Sequence, residues 1–562
     1  MSACISGSQD RSSTMSITDL FPEYATTSSI DTLRETEYSY LDAQDQVYLD
    51  YTGSSIASQS QHLHHASRLT SQLYGNPHSI NPSSQASTHE VNSTRSRILS
   101  HLNASPDEYV VIFTQNATGA AKLVGESYPF TSNQRLVLTA DNHNSINGIR
   151  VMAAAKGTKT TYIPLETPSL RLDTKKVLSA LSSSSPSSKT QSLFKRVISG
   201  CIPHRSLPPL ISSSSSSTTS SQKGLEPSLT IHSEKPHSST SIIPSPSKKK
   251  KGLFGYPAQS NFTGIQHSLS LIPLAQSLGY DVLLDAAAYL PTSTLDLSLP
   301  TCKPEFLIIS FYKLFGYPTG VGCLVAKKSA LSKLDSRPWF SGGTVKAVST
   351  GVQWHSMLDS QTPEKYEDGT VNFLSVPDVK FGLDWISKQV KMELINKRVK
   401  CLTGWFLVRS KALRHKNGRE MIKVYGDTED LNGRGGTVAF NILDAEGKVV
   451  DERLVGKESA AAKISLRTGC FCNPGAGEFA LEIGKGVLMR LPALGVKALL
   501  TGRKFIFDDY IQMLGLPSAG AIRVSFGIAS NAADVDRLVG FLENTYKDRV
   551  TGGEDLEKRE SC

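Results

Sequence analysis

Apolar residues follow two different spacings along this chain. Between Val47 and Leu181, short β-branched and aromatic runs alternate with stretches whose apolar positions fall at helical intervals. Tyr109 to Phe113 and Arg135 to Thr139 read as strands, and Ala117 to Gly125 and Ser145 to Lys156 as helices. That rhythm predicts a parallel sheet covered by helices on both faces. It resumes with a helix over Leu269 to Leu278 and strands over Asp281 to Leu284 and Phe306 to Ser310. After about residue 380 the texture changes to one long amphipathic helix (Leu383 to Arg414), an alternating strand (Gly436 to Leu443) and a final helix (Asn531 to Tyr546). The expected architecture is a large α/β domain over 36–380 and a smaller α+β domain over 381–548, with the active site where they meet.

Three stretches lack this periodicity. Residues 1–35 are dominated by Ser, Thr and Asp and are expected to form a loosely ordered tail. Residues 182–251 hold the runs Ser182 to Ser185 and Ser212 to Ser217 among Pro and Lys, a composition that buries too little apolar surface to offset its ordering entropy. A disordered insertion in a surface loop is expected there, at small cost because closure entropy grows slowly with length. Residues 549–562 form a polar tail.

Composition narrows the function only slightly. The 562 residues are 39% hydrophobic and 20% charged, enough for a large core, and the net charge of +9 owes part of its size to the run Lys248 to Lys251. Inside the Ser-rich stretch that run reads as a solvated linker, with a localisation or nucleic-acid signal as the alternative. Eight scattered cysteines give neither a disulfide framework nor a four-ligand zinc spacing. No segment has the roughly 18 continuous apolar residues of a membrane span, and the first 19 residues lack signal-peptide character. The expectation is a cytoplasmic protein with no metal, nucleic-acid or membrane partner.

Three segments carry chemistry. In Ser310-Phe-Tyr-Lys-Leu-Phe-Gly-Tyr-Pro-Thr-Gly320, a lysine follows an apolar strand at the end where α/β sheets bind ligands. Aromatic neighbours can desolvate Lys313 and lower its pKa, as an imine-forming amine requires; a surface-loop lysine is the bland alternative. Asp285 ends the strand Val282-Leu-Leu-Asp285, 28 residues before Lys313. It suits the anion that keeps a pyridinium protonated, and equally the N-cap of a following helix. In Arg467-Thr-Gly-Cys470-Phe-Cys472-Asn-Pro-Gly-Ala-Gly477, glycines and a proline place at least one thiol on an exposed, mobile loop near an arginine that favours a thiolate. A Cys-x-Cys metal site competes, although no second ligand pair has matching spacing.

These segments, in this order, resemble class V aminotransferase-fold enzymes, and most closely the N-terminal, cysteine-desulfurase-like domain of eukaryotic molybdenum cofactor sulfurases. The resemblance runs from about Val47 to Tyr546 outside the Ser-rich insertion. It also rests on Tyr48-Leu-Asp-Tyr-Thr-Gly53, Gly75-Asn-Pro-His78, Asp141-Asn-His-Asn-Ser145, Tyr256-Pro-Ala-Gln-Ser-Asn261 and Glu367-Asp-Gly-Thr-Val-Asn372. It implies the aspartate-aminotransferase-like fold type I of pyridoxal 5'-phosphate enzymes. Lys313 would hold that cofactor covalently, Asp285 would pair with its pyridine nitrogen, His143 would stack on its ring and Asn261 would approach its phenolic oxygen. Thr118 at a helix start, with Ser310 and Tyr312, would bind the phosphate. Thr370 would reach the phosphate from the neighbouring subunit, so a homodimer is implied. Arg467 would clamp the carboxylate of L-cysteine. Arg523 matches a second family arginine near the substrate, its bland alternative being a strand arginine in a surface ion pair. Cys472 lies five residues after Arg467, the family's spacing for the cysteine that becomes a persulfide; Cys470 is the lesser candidate.

The implied activity is desulfuration of L-cysteine to alanine, with sulfur passed to molybdenum cofactor or a protein carrying it. An iron-sulfur scaffold or a tRNA-thiolation carrier are other acceptors. Gly477 stands where sulfurase-type members often have another cysteine, and Ala288 where many bacterial desulfurases have glutamine, which favours the sulfurase branch. The run Gly552 to Cys562 leaves no room for the cofactor-receiving domain of full-length eukaryotic sulfurases, so the expectation is transfer to a separate protein or a truncated chain. Two rival readings are another class V aminotransferase or lyase, such as a selenocysteine lyase or general cysteine desulfurase, and an inactive scaffold that binds partners through the insertion.

Overall fold

A computed structural model describes residues 15–182, 251–491, 507–516, 518, 520–552 and 556–559. Its largest sheet has seven strands: β2 (Tyr109–Thr114), β3 (Arg135–Thr139), β4 (Lys159–Ile163), β5 (Gly252–Pro257), β6 (Tyr280–Asp285), β7 (Phe306–Ser310) and β8 (Gly322–Lys327), with β1 (Val47–Tyr48) lying outside it. Their order across the sheet is β2-β8-β7-β6-β5-β3-β4. Only β8 runs antiparallel to its neighbours β2 and β7. The central strands are almost continuously apolar because helices cover both faces; every residue of Phe306–Ser310 and of Gly252–Pro257 is buried.

Helix α1 (Gln59–Ser71) starts at a Ser58–Gln61 capping box, and α2 (Pro82–His101) at Asn81 with proline in its first turn. Helix α3 (Ala117–Ser127) starts at Asn116, whose side chain accepts from Gly119 N. The lysine segment forms the short helix α4 (Phe311–Phe315), stopped by Gly316 at φ 79°. A side chain on Gly316 would stand 2.3 Å from Ala57 N, so this close approach requires glycine.

A second, four-stranded antiparallel sheet has the order β9-β10-β12-β11, from β9 (Ile422–Tyr425), β10 (Thr437–Ile442), β11 (Arg467–Gly469) and β12 (Ala521–Ser525). The final helix Ala532–Tyr546 is capped reciprocally by Asn531 and Asp534. The expected long helix from Leu383 is instead two helices, Val376–Trp385 and Met392–Ala412. A wider turn over Ile386–Val390 and Lys391 at φ 69° separate them, which keeps Ile386, Val390, Met392 and Ile395 all in the core. No helix among the described residues is long and apolar enough to cross a membrane.

The expected insertion lies almost wholly outside the described residues. Both of its flanks meet Arg135: Nη1 donates to Ala180 O at 2.8 Å and the backbone N–H to Lys251 O at 2.9 Å. The start of the chain departs from the expected loose tail. Residues 1–14 lie outside the described residues, but Ile17–Leu20 and Ser29–Glu37 are helical, and Ile17 and Ile30 are buried. The polar composition misled because long-range contacts dock the segment. Arg34 Nη1 meets Asp534 Oδ2 at 2.6 Å and Ala529 O at 2.8 Å, with both side chains buried. Removing one partner leaves an uncompensated buried charge, so Arg34→Ala is expected to lower unfolding free energy by about 3–5 kcal/mol in urea titrations. Unchanged stability would make the segment an undocked tail after all.

Candidate active site

Four strand ends converge on one cavity of 370 Å³. Beyond β3 comes His143, beyond β5 Gln259 and Asn261, at the end of β6 Asp285, and just past β7 Tyr312 and Lys313. The start of α3 adds Asn116, Ala117 and Thr118. All the strand-borne groups sit at carboxyl ends, where the sheet's geometry leaves room for a ligand.

Burial pushes the Lys313 amine below its ordinary 10.5, while the Asp285 carboxylate pulls the other way. Burial also lowers the His143 imidazole, and the neighbouring Lys313 charge adds to the effect. His143 Nδ1 accepts from Ser145 N at 3.1 Å, which leaves Nε2 to carry the proton of the neutral ring. No helix follows Asp285 for it to cap: Oδ1 accepts from Ala287 N at 3.0 Å in a local turn, and the residue lines the cavity. The Thr118 hydroxyl is 2.7 Å from Ser145 Oγ. Ser310 does not line the cavity, yet its hydroxyl is buried with no hydrogen-bond partner.

Cys472 also lies outside the cavity lining. It is exposed and free, whereas Cys470 is half-buried and disulfide-bonded. Cys472 is exposed, while the backbone around it is hydrogen-bonded to neighbouring segments. Three consecutive carbonyls are bound: Cys470 O by Asn473 N at 3.0 Å, Phe471 O by Asn261 Nδ2 at 2.8 Å, and Cys472 O by Asn144 N at 2.7 Å. Asn473, fully buried, donates to Asn261 Oδ1 and to Asp141 O, both at 2.8 Å. This holds Phe471 and Cys472 at φ 57° and 53°, a left-handed conformation unusual for side-chain-bearing residues. Asn261 and Asn144 adjoin or line the cavity, so the thiol loop is tied to the wall of the amine's site.

The two arginines stand opposite each other on β11 and β12. Arg467 donates to Asp50 Oδ2 from Nε at 2.9 Å and Nη2 at 2.6 Å, and Arg523 Nη2 donates to Asp50 Oδ1 at 2.7 Å. Arg523 is buried, its guanidinium 4.8 Å over the Phe471 ring, so its pairing is not at the surface. Neither arginine lines the cavity, but Arg523 Nη1 donates to Asn261 O at 3.0 Å. Thr370 falls in a neighbouring cleft with Lys122 and Asn372, which shares Gly320 with the cavity. Sequence reasoning quoted the segments containing Asp50 and Asn473 but assigned neither a role; only their long-range partners reveal one.

Two measurements follow from this geometry. An amine acylates only when neutral, so the midpoint pH for acetylation of Lys313 in cofactor-free protein, followed by peptide mass, is expected below 10.5. Asp285→Asn removes the opposing carboxylate and should move it lower; a midpoint at or above the free-lysine value contradicts the burial argument. Asn473→Asp keeps the acceptor for Ala476 N but loses both donations, each worth about 1 kcal/mol, so amide exchange at Asn144 and across 470–473 should quicken by about thirtyfold.

The aminotransferase class-V family profile matches residues 47–186 and 237–538. Among curated proteins, the molybdenum cofactor sulfurase of Solanum lycopersicum is 33% identical over 92% of this chain and 57% of its own length. That of Homo sapiens is 31% identical over 92% of this chain and 51% of its own. The chain thus spans little more than half the length of these relatives. Among solved structures, an apo cysteine desulfurase from Thermococcus onnurineus has a TM-score of 0.64 at 17% identity, covering 92% of this chain and 97% of that one. A cysteine desulfurase from Escherichia coli has a TM-score of 0.58 at 19% identity, covering 92% and 98%. The fold is therefore shared with cysteine desulfurases, and with the profile matching on both sides of the undescribed insertion the chain belongs to the aminotransferase class-V family.

Proposed function

We propose that this chain is a pyridoxal-phosphate-dependent L-cysteine desulfurase that stores sulfur as a persulfide on Cys472 and supplies it for sulfuration of the molybdenum cofactor. The observation that carries the reading is a desolvated amine, Lys313, in a cavity whose wall is bonded directly to the loop of a free, exposed thiol. The named sulfurase relatives and the desulfurase fold support the choice of substrate and acceptor.

The residues present fit the cofactor. The unpartnered hydroxyl of Ser310 and the start of α3 offer donors for a phosphate, together with Thr118 and Tyr312. Asp285 offers an anion for a ring nitrogen and His143 a ring to stack on. Asn261 Nδ2 spends one proton on Phe471 O and keeps the other for the phenolic oxygen. Bound there, pyridoxal phosphate supplies an electron sink for bonds at the substrate's α-carbon.

The protein's own groups then divide the work. Arg467 and Arg523 take the substrate carboxylate. Lys313, whose burial favours the neutral form, accepts the α-proton and returns it. Cys472 Sγ bonds to the substrate sulfur as the carbon–sulfur bond breaks; the thiol's sulfur becomes a persulfide and the former cysteine leaves as alanine. A homodimer follows from the role read for Thr370, whose cleft adjoins the cavity at Gly320. Soluble cytoplasmic localisation is part of the same reading.

Cys472→Ala is expected to leave cofactor absorbance intact while cysteine-dependent alanine formation falls below about 1% of wild type, since loss of a nucleophile costs several powers of ten. Alanine formation that survives, or that requires an amino-group acceptor, would assign the chain to another class V reaction.

A further inference from the structure

Asp50 stands where three chain segments meet, and the sulfur chemistry makes no use of it. Its backbone bridges Ser525 in parallel, and Ser525 N donates to Leu49 O at 2.7 Å. This fixes the carboxylate against β12, between two arginines that face each other in strand register. Each carboxylate oxygen serves one guanidinium: Oδ2 takes two bonds from Arg467 and Oδ1 one from Arg523. The third side of the carboxylate rests on Gly53, where an added side chain would lie 2.4 Å from Oδ2. A bare glycine there is what lets the carboxylate seat between the two cations.

The arginines are not equivalent. Arg523 is 3% exposed, donates to Asn261 O, and has a buried Nε without a partner. Arg467 is 53% exposed, and none of its described bonds uses Nη1. Burial pushes Arg523 below its ordinary value, whereas the Asp50 bonds hold Arg467 above its own. Without an anion between them, two guanidiniums on adjacent strands repel, and the exposed one is free to turn to solvent. With one carboxylate between them the cluster keeps a single net positive charge, which complements one incoming carboxylate.

We infer that Asp50 is a positioning residue that holds Arg467 and Arg523 together as one clamp for the α-carboxylate of the amino-acid substrate. The inference rests on the proposed reading that the substrate is an amino acid. In Asp50→Asn the shape is kept, but an amide N–H₂ replaces one acceptor and faces a guanidinium, so one arginine loses its anchor.

The test titrates L-alanine, a product-like amino acid without a thiol, into the cofactor-loaded protein by calorimetry. Asp50→Asn is expected to weaken binding by at least about tenfold relative to wild type, the scale of one charge-assisted hydrogen bond. KM for cysteine should rise by a similar factor with kcat nearly unchanged and cofactor absorbance intact, a split that general destabilisation does not produce. Asp50→Glu keeps the charge but cannot seat its longer side chain on Gly53, and should fall between the two; it also serves if the amide variant does not fold. Equal or tighter L-alanine binding in both variants, or no binding by wild type, overturns the inference. Normal L-alanine behaviour in a wild-type protein that makes no alanine from cysteine would instead sink the desulfurase reading alone.

Discussion

Everything in this site depends on keeping a thiol and an amine, 159 residues apart in the chain, in fixed relation. The link is a pair of side-chain amides. Asn261, on the cavity wall, binds the carbonyl before Cys472, and Asn473 binds Asn261 and the backbone at Asp141. An amide suits this work because it donates and accepts at once, so each side chain joins two segments without placing a charge in a buried site. The left-handed backbone at Phe471 and Cys472 is strain that these bonds hold in place. An exposed loop can thus present a nucleophile with little conformational entropy left to lose on reaction.

Charge is handled differently on the two sides of the link. Around Lys313 the protein withholds solvent, which favours the neutral amine, with the Asp285 carboxylate and, less strongly, Asp50 opposing it. Around Arg467 and Arg523 it pairs two permanent cations with one carboxylate, because arginines cannot escape burial by losing a proton. In the proposed reading the first arrangement serves a base and the second a binding surface for an anion. Arg523 touches both, stacking on Phe471 of the thiol loop and donating to Asn261.

The chain's departures from its own pattern have one cause. The Ser- and Thr-rich start looked unable to order itself; long-range contacts hold it, with Arg34 on a buried carboxylate 500 residues away and Arg398 on Thr27 and Asp31. The amphipathic stretch from Leu383 looked like one helix because no Pro interrupts it and its one Gly, Gly404, lies well past the break; it breaks at Lys391, with core residues on either side. In both cases tertiary contacts outweigh local preference.

Four of the seven strands of the large sheet (β2, β3, β6 and β7), the lysine after β7, the aspartate ending β6 and the cysteine loop were legible in the residues alone. Each is a local signal, an apolar run or a glycine-flanked reactive group whose meaning does not depend on distant sequence. The tertiary structure decided which of those groups share a cavity and which stand at its edge. It also assigned work to Asp50 and Asn473, and bonded the cysteine loop to neighbouring segments. These outcomes rest on strand register and on hydrogen bonds spanning hundreds of residues, such as the 417 between Asp50 and Arg467. Such pairings exist only once the backbone has brought the partners within about 3 Å.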